Sequence, residues 1–185
     1  MRLWRTVPLD RSAAADAPGG PLWFPREQQG QGRHDNPGRY GCLYASEDAV
    51  SAVAESLVAF RGTGRLTASM LTRLGRPLAL AELALPDDVI VIDLDDPDVL
   101  AARHLHPSWV ASRDRELTQS IAWDLYGFDK LEARALRWWS TIDSRFANWT
   151  LFDIVAESLE LIDVTELRLD DPAVREAAVL LGLMP

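Results

Sequence analysis

The chain carries one cysteine, Cys42, and one lysine, Lys130, in 185 residues. A single thiol excludes an intrachain disulfide and a multi-cysteine zinc site, and a packed side chain is expected for Cys42 rather than a reactive one. With so little lysine, arginine supplies almost all the positive charge, and the arginines are dispersed with no Lys/Arg-rich run. A formal net charge of −9 repels polyanions. A direct nucleic-acid surface is therefore not expected, while single arginines remain suited to the carboxylates or phosphates of a small anionic ligand. No apolar run is long enough to span a bilayer, so no membrane association is expected, and the start "MRLWRTVPLD" has no apolar segment leading to a cleavage site. The expected location is cytoplasmic. Histidine is scarce as well: His104 and His106 stand two apart before Pro107 with no third ligand in view, so no metal site is expected. "DLDDPD", residues 93–98, lacks the glycine and distant glutamate of a calcium loop and reads as a solvated turn.

What is present suits a globular protein: 48% of residues are apolar and 25% charged, and one compact domain over residues 1–185 is expected. "RLWRTV" reads as a strand. Residues 8–37, rich in Gly, Pro, Ala and Gln and without periodicity, read as a long loop. "GCLYAS" predicts a strand, followed by a helix over residues 47–61 capped by Ser46 and stopped by Gly62 and Gly64. "LALAELAL" and "VIVIDL" predict paired or neighbouring strands, and "LDDPDVLAARHL" a turn and short helix. "SRDRELTQSIAWDLYG" has helical spacing at Leu117, Ile121 and Leu125, with Gly127 as its end. "ALRWWSTI" reads as a strand, "NWTLFDI" as a turn with a short helix or strand, and "ESLELIDVTEL" as a strand. Asp171 and Pro172 form an N-cap and N1 pair for a last helix. The fold class is α+β, with a mixed or antiparallel sheet.

One helix has an unusual face. Val50, Val53, Leu57 and Phe60 form its apolar stripe, and the far side carries Glu55 among Ser51, Ala52 and Ala59. A solvent face normally carries long charged side chains, so these small residues predict a close cover, beneath which Glu55 must find donors or shift its pKa. A partly exposed or salt-bridged structural glutamate is the alternative. Upstream stand Arg33, His34 beside it, Arg39 and Tyr44; downstream, Ser140 lies among Trp138, Trp139 and Trp149. In a strand "LRWWS", one of Trp138 and Trp139 belongs to the core and the other lines the cleft.

An arginine, a tyrosine-bearing strand, a helix glutamate and a serine after "RWW" occur in an order that resembles the RES domain family, named for its Arg, Glu and Ser. "LWR", "YGCLYAS", "TQSIA", "LRWWS" and "NWTLFD" extend the resemblance over most of the chain. It implies a fold similar to ADP-ribosyltransferases and an NAD-degrading toxin. Such a toxin cleaves the nicotinamide glycosidic bond by phosphorolysis or hydrolysis, and is neutralised in a hetero-oligomer by an antitoxin with an Xre-type helix-turn-helix region. NAD is then a substrate, phosphate a co-substrate in the phosphorolytic case, and no cofactor is implied. Arg33, Glu55 and Ser140 would form the catalytic trio; Arg5 and Arg33 would hold the NAD phosphates, Tyr44 would flank the nicotinamide ribose, and His34 would touch ligand beside Arg33. One departure is Thr6, where some members have an aromatic residue after the first arginine. The rival expectations are an ADP-ribosyltransferase acting on a protein and a non-catalytic partner-binding module.

Overall fold

The structure is a computed structural model and describes residues 1–128 and 133–184; Lys130 lies outside them. In chain order the elements are β1 (Arg2–Pro8), β2 (Cys42–Ser46), α1 (Ala49–Leu57), β3 (Thr72–Arg73), β4 (Arg76–Ala84) and β5 (Val91–Asp93). They continue with α2 (Pro97–Ala102), α3 (Pro107–Val110), α4 (Arg115–Phe128), β6 (Ala135–Trp139), β7 (Ala147–Phe152), β8 (Glu160–Glu166) and α5 (Pro172–Leu180). Antiparallel pairs and one parallel pair, β5 with β6, make this an α+β fold with mixed pairing. Among the described residues no helix is long and apolar enough to cross a membrane.

The chain packs as two compact units. The first comprises Met1–Trp23, Ala45–Leu85 and Glu160–Pro185. Its spine is the β1–β4 ladder, in register from Arg2 opposite Ala84 to Pro8 opposite Leu78, with β8 antiparallel to β4 and β3 forming a short hairpin with it. The helix α1 packs against β1 and α5, burying Val53 and Leu57 with Val174, Ala177 and Ala178. Three expectations are corrected here. Asp48, not Ser46, caps α1: its carboxylate accepts from the Val50 and Ser51 amides at 2.7 and 3.3 Å, adding negative charge at the positive helix end. The α-helix is shorter than residues 47–61, since Val58–Phe60 tightens to a 3-10 turn before Gly62 takes φ +71°. β4 does not pair with β5; its partners are β1, β3 and β8.

The second unit comprises Phe24–Tyr44 and Pro86–Leu159. β6 lies between β5 and β7, and α2, α3 and α4 accompany these strands. Its core gathers Tyr40, Leu94, Ile121, Leu125, Leu136 and Phe152. "ANWTLF" is a strand buried at every residue, which is why alternation could not separate strand from helix in this run. Helix α4 continues through Gly127, one residue past its expected end. The aspartates of "DLDDPD" are structural: Asp93 and Asp95 meet Arg137 at 3.0 and 3.5 Å, and Asp96 caps α2 through the Asp98 amide. Cys42 is buried, and burial pushes its thiol well up from its ordinary value.

Candidate functional site

In the first unit, Arg5 and Glu55 are placed by regular backbone. Leu3, Arg5 and Val7 share one face of β1 by strand alternation, and Leu3 and Val7 are fully packed. A guanidinium between them loses solvent, and that desolvation pulls Arg5 down to about 10, still a full cation at neutral pH. Its Nη1 donates to the Pro21 carbonyl at 3.0 Å, so the long loop closes onto this residue. On the opposite face, Thr6 Oγ1 donates to the Ala52 carbonyl of α1 at 3.1 Å. The close cover expected over the small residues of α1 holds only in part: Ser51 and Ala52 are buried, but Ala59 is exposed, and Glu55 is partly buried between them.

In the second unit, Arg33 sits on a loop with no regular structure, 6% exposed. Its Nη1 donates to the Val110 carbonyl at 2.8 Å and the Ser112 carbonyl at 2.7 Å, and its guanidinium carbon lies 4.8 Å from the centre of the Trp138 ring. Carbonyl dipoles and a ring face thus orient the cation. The backbone on either side is held by side chains. Asp35 Oδ2 accepts from the Gly30 and Gly32 amides at 2.8 and 2.7 Å, and its Oδ1 accepts from the Tyr44 hydroxyl at 2.6 Å. The same hydroxyl accepts from the His34 amide at 2.9 Å. From α4, Thr118 Oγ1 donates to the Arg33 carbonyl at 2.7 Å, and Gln119 Nε2 donates to the Gly30 and Gly32 carbonyls at 3.1 and 2.9 Å. Tyr44 is raised well above its ordinary value, first by burial and then by neighbouring Cys42 and Asp35, so its hydroxyl keeps its proton.

His34 is enclosed, 2% exposed, with Nδ1 2.7 Å from Thr150 Oγ1 and its ring edge-on to Trp138 at 5.5 Å. Burial, followed by the charges of Arg33 and Arg115, pulls the imidazole down to about 3. It is neutral in the native protein. Ser140 closes the β6–β7 hairpin: its amide donates to the Phe146 carbonyl at 2.8 Å, and its Oγ accepts from the Ile142 amide at 3.1 Å. The adjacent tryptophans divide as strand geometry requires. Trp138 is buried, donates to Thr150 Oγ1 at 3.1 Å and faces Arg33; Trp139 is half-buried and lines a cavity of about 550 Å³ with Leu100, Leu105 and Pro107. The core tryptophan, rather than the outward one, is therefore the one that meets a candidate residue. Arg39 lies over Trp123 at 4.5 Å.

The second unit thus brings Arg33, His34 and Tyr44 into one bonded cluster, and the first places Arg5 on β1 and Glu55 on α1. Sequence reasoning missed Asp35, Thr118, Gln119 and Thr150. One signal was available for Thr118: it occupies the head of the stripe Thr118, Ile121, Ala122 and Leu125, all buried, where a polar side chain must find a partner. Among the described residues no group of three or more His, Cys, Asp or Glu is arranged to hold a metal ion.

No curated protein matches the sequence. Among solved structures, the fold is similar to that of a chain in the crystal structure of the M. tuberculosis MbcT–MbcA toxin–antitoxin complex. The TM-score is 0.61 at 16% identity, covering 98% of this chain and 87% of that one, a likeness of fold. In sequence the RES domain matches residues 2–171, nearly the whole length, and the chain belongs to the RES domain family.

Proposed function

We propose that this protein is a toxin-type enzyme that degrades NAD by cleaving its nicotinamide glycosidic bond, and that a protein antitoxin neutralises it. Membership of the RES family and likeness of fold to a chain from a toxin–antitoxin complex support the toxin reading. The geometric observation that carries the chemistry is the fixing of Arg33: a permanent cation withdrawn from bulk water, oriented by two carbonyls and an indole face. Such a planar donor suits a pyrophosphate oxygen, which a mobile lysine matches poorly. Arg5, itself desolvated on β1, supplies the second phosphate contact.

The bond from nicotinamide N1 to ribose C1′ breaks with its electron pair leaving on the ring nitrogen, so nicotinamide departs neutral and the ribose becomes an oxocarbenium-like cation. Glu55 stabilises that charge, and Ser140 hydrogen-bonds the nicotinamide ribose or orients Glu55. Tyr44 flanks the ribose with its ring, because its hydroxyl is engaged by Asp35 and the His34 amide. His34 backs the Arg33 segment as a neutral ring. Water adding to C1′ gives ADP-ribose and a proton; phosphate adding there gives the 1-phosphate of ADP-ribose. The antitoxin implied by this reading carries an Xre-type helix-turn-helix region and forms a hetero-oligomer with the toxin in the cytoplasm.

The test is incubation of the purified protein with NAD, with and without phosphate, followed by product identification by mass spectrometry. Release of free nicotinamide with ADP-ribose or its 1-phosphate is expected. Intact NAD after prolonged incubation of folded protein, phosphate included, overturns the reading.

A further inference from the structure

We propose that Asp35, acting with Thr118 and Gln119, is a positioning group that sets Arg33 on its phosphate ligand. This rests on the assignment of Arg33 to the NAD pyrophosphate. Residues 30–34 have no helix or strand of their own, and glycine at positions 30 and 32 would let the backbone wander. Instead the carboxylate of Asp35, 5% exposed, gathers both glycine amides on one oxygen and the Tyr44 hydroxyl on the other. The packing at this point is close: a Cβ on Gly32 would lie 2.4 Å from Asp35 Oδ1 and 2.6 Å from the Tyr44 hydroxyl, so only glycine fits. From the other side, Gln119 donates to the carbonyls of the same two glycines, and Thr118 donates to that of Arg33 itself. The backbone of Arg33 is thereby fixed at both ends and at its own carbonyl, while the guanidinium is fixed by Val110 and Ser112. A charged acceptor is required at position 35. Only a carboxylate offers acceptor oxygens on both sides; an amide would turn one toward an N–H or O–H donor as a second donor. Asp35 touches no reacting atom in this scheme; it acts chiefly through Arg33 and secondarily through the Tyr44 ring whose hydroxyl it holds.

The test compares Asp35→Asn with Gln119→Ala, which sits on the partly exposed side of α4 and keeps the fold even if the buried change does not. Hydrogen exchange at the Gly30 and Gly32 amides is expected to quicken about tenfold or more in Asp35→Asn, which weakens their carboxylate acceptor, and about threefold in Gln119→Ala, which releases the carbonyls of the same two residues. NAD turnover is expected to show KM raised about tenfold with kcat within about threefold, the pattern of lost binding rather than lost chemistry. Adding Asp35→Asn to Arg33→Ala should worsen KM by about threefold or less, well short of the single change, because the main positioned group is already gone and only the hold on Tyr44 is left. Thr118→Ser, which keeps the hydroxyl, should match the parent, and Thr118→Val should not. Unchanged amide exchange in folded variants overturns the clamp. Quickened exchange with parental KM, or a KM loss fully additive with Arg33→Ala, overturns positioning. A parent without NAD turnover fails the functional reading instead, and amide exchange then decides the clamp by itself.

Discussion

The β1–α1 region and the loop over residues 30–36 place their charged groups by opposite means. Arg5 and Glu55 ride on periodic backbone, a ladder paired residue by residue with β4 and a helix packed on β1 and α5. Arg33 rides on irregular backbone whose polar groups are satisfied one by one by Asp35, Tyr44, Thr118 and Gln119. In the first region many equivalent bonds share the task, so a single side chain can change without moving the scaffold. In the second, individual side chains hold individual backbone groups, so the loss of one takes a bond from an amide or carbonyl in a partly buried loop. On the proposed assignments, chemistry and scaffold are therefore separable at Glu55 and fused at Arg33.

The sharpest test of that separation is Glu55→Gln. The amide preserves shape on a partly buried helix position and removes the charge, so NAD consumption should fall on the order of a hundredfold or more with the fold intact. A well-folded variant with near-normal turnover would remove the proposed role of Glu55.

The next effect belongs to the loop region and appears as acid sensitivity. His34 is held at about 3 in the native state, far below its unfolded value near 6.5. Below about pH 6.5 the unfolded chain takes up a proton that the native chain refuses, so this contribution is whole above that pH and is lost as the pH falls toward 3. Between pH 6.5 and 5 the loss should be about 2 kcal/mol, at roughly 1.4 kcal/mol per pH unit. Denaturant titrations at a series of pH values should show it, and His34→Gln should flatten the slope. An equal slope in both proteins would assign the acid response to other groups.

Arg33→Lys should weaken NAD binding about tenfold and fail to rescue Arg33→Ala, since one ammonium cannot keep both carbonyls, the indole face and a forked phosphate contact. Equilibrium binding reads this directly. A lysine variant as tight as the parent would show that charge alone suffices and that the loop's planar geometry is idle.

The same contrast governs what could be read from sequence. The strands β1, β2, β6 and β8 and helices α4 and α5 were legible because period and punctuation are local properties. The face of small residues around Glu55 predicts a close cover that is found over Ser51 and Ala52, beside the Thr6 bond to the Ala52 carbonyl, but not over exposed Ala59. Arg33, Glu55 and Ser140 stood out through residue order. The clamp did not, because its members come from residues 30–44 and from α4, and only folding brings Gln119 to Gly30. The expectation that β4 and β5 are paired or neighbouring strands fails for a related reason: proximity in sequence favours adjacent strands, but β5 pairs with β6 in parallel, and β4 spends both edges on β1 on one side and β3 and β8 on the other.

The smallest effect lies at the other end of α1 and bears directly on whether regular structure alone places Glu55. Asp48 accepts from the Val50 and Ser51 amides, and removing it by Asp48→Ala should cost about 1 kcal/mol, the ordinary worth of an N-cap. For a chain of this size that lowers Tm by about 2–4 °C. Glu55 stands seven residues beyond the cap, in a turn secured by buried Val53, Ala54 and Leu57, with the Thr6 bond to Ala52 one turn earlier. The first turn can therefore fray without displacing the carboxylate, and turnover measured well below Tm should stay within about twofold of the parent, because tertiary packing rather than the cap fixes the helix. Calorimetry and steady-state kinetics on the one variant settle the matter. If Asp48→Ala instead lost turnover as severely as Glu55→Gln while still folded, α1 would depend on a single side chain just as the Arg33 loop does, and the distinction between the two regions would fall.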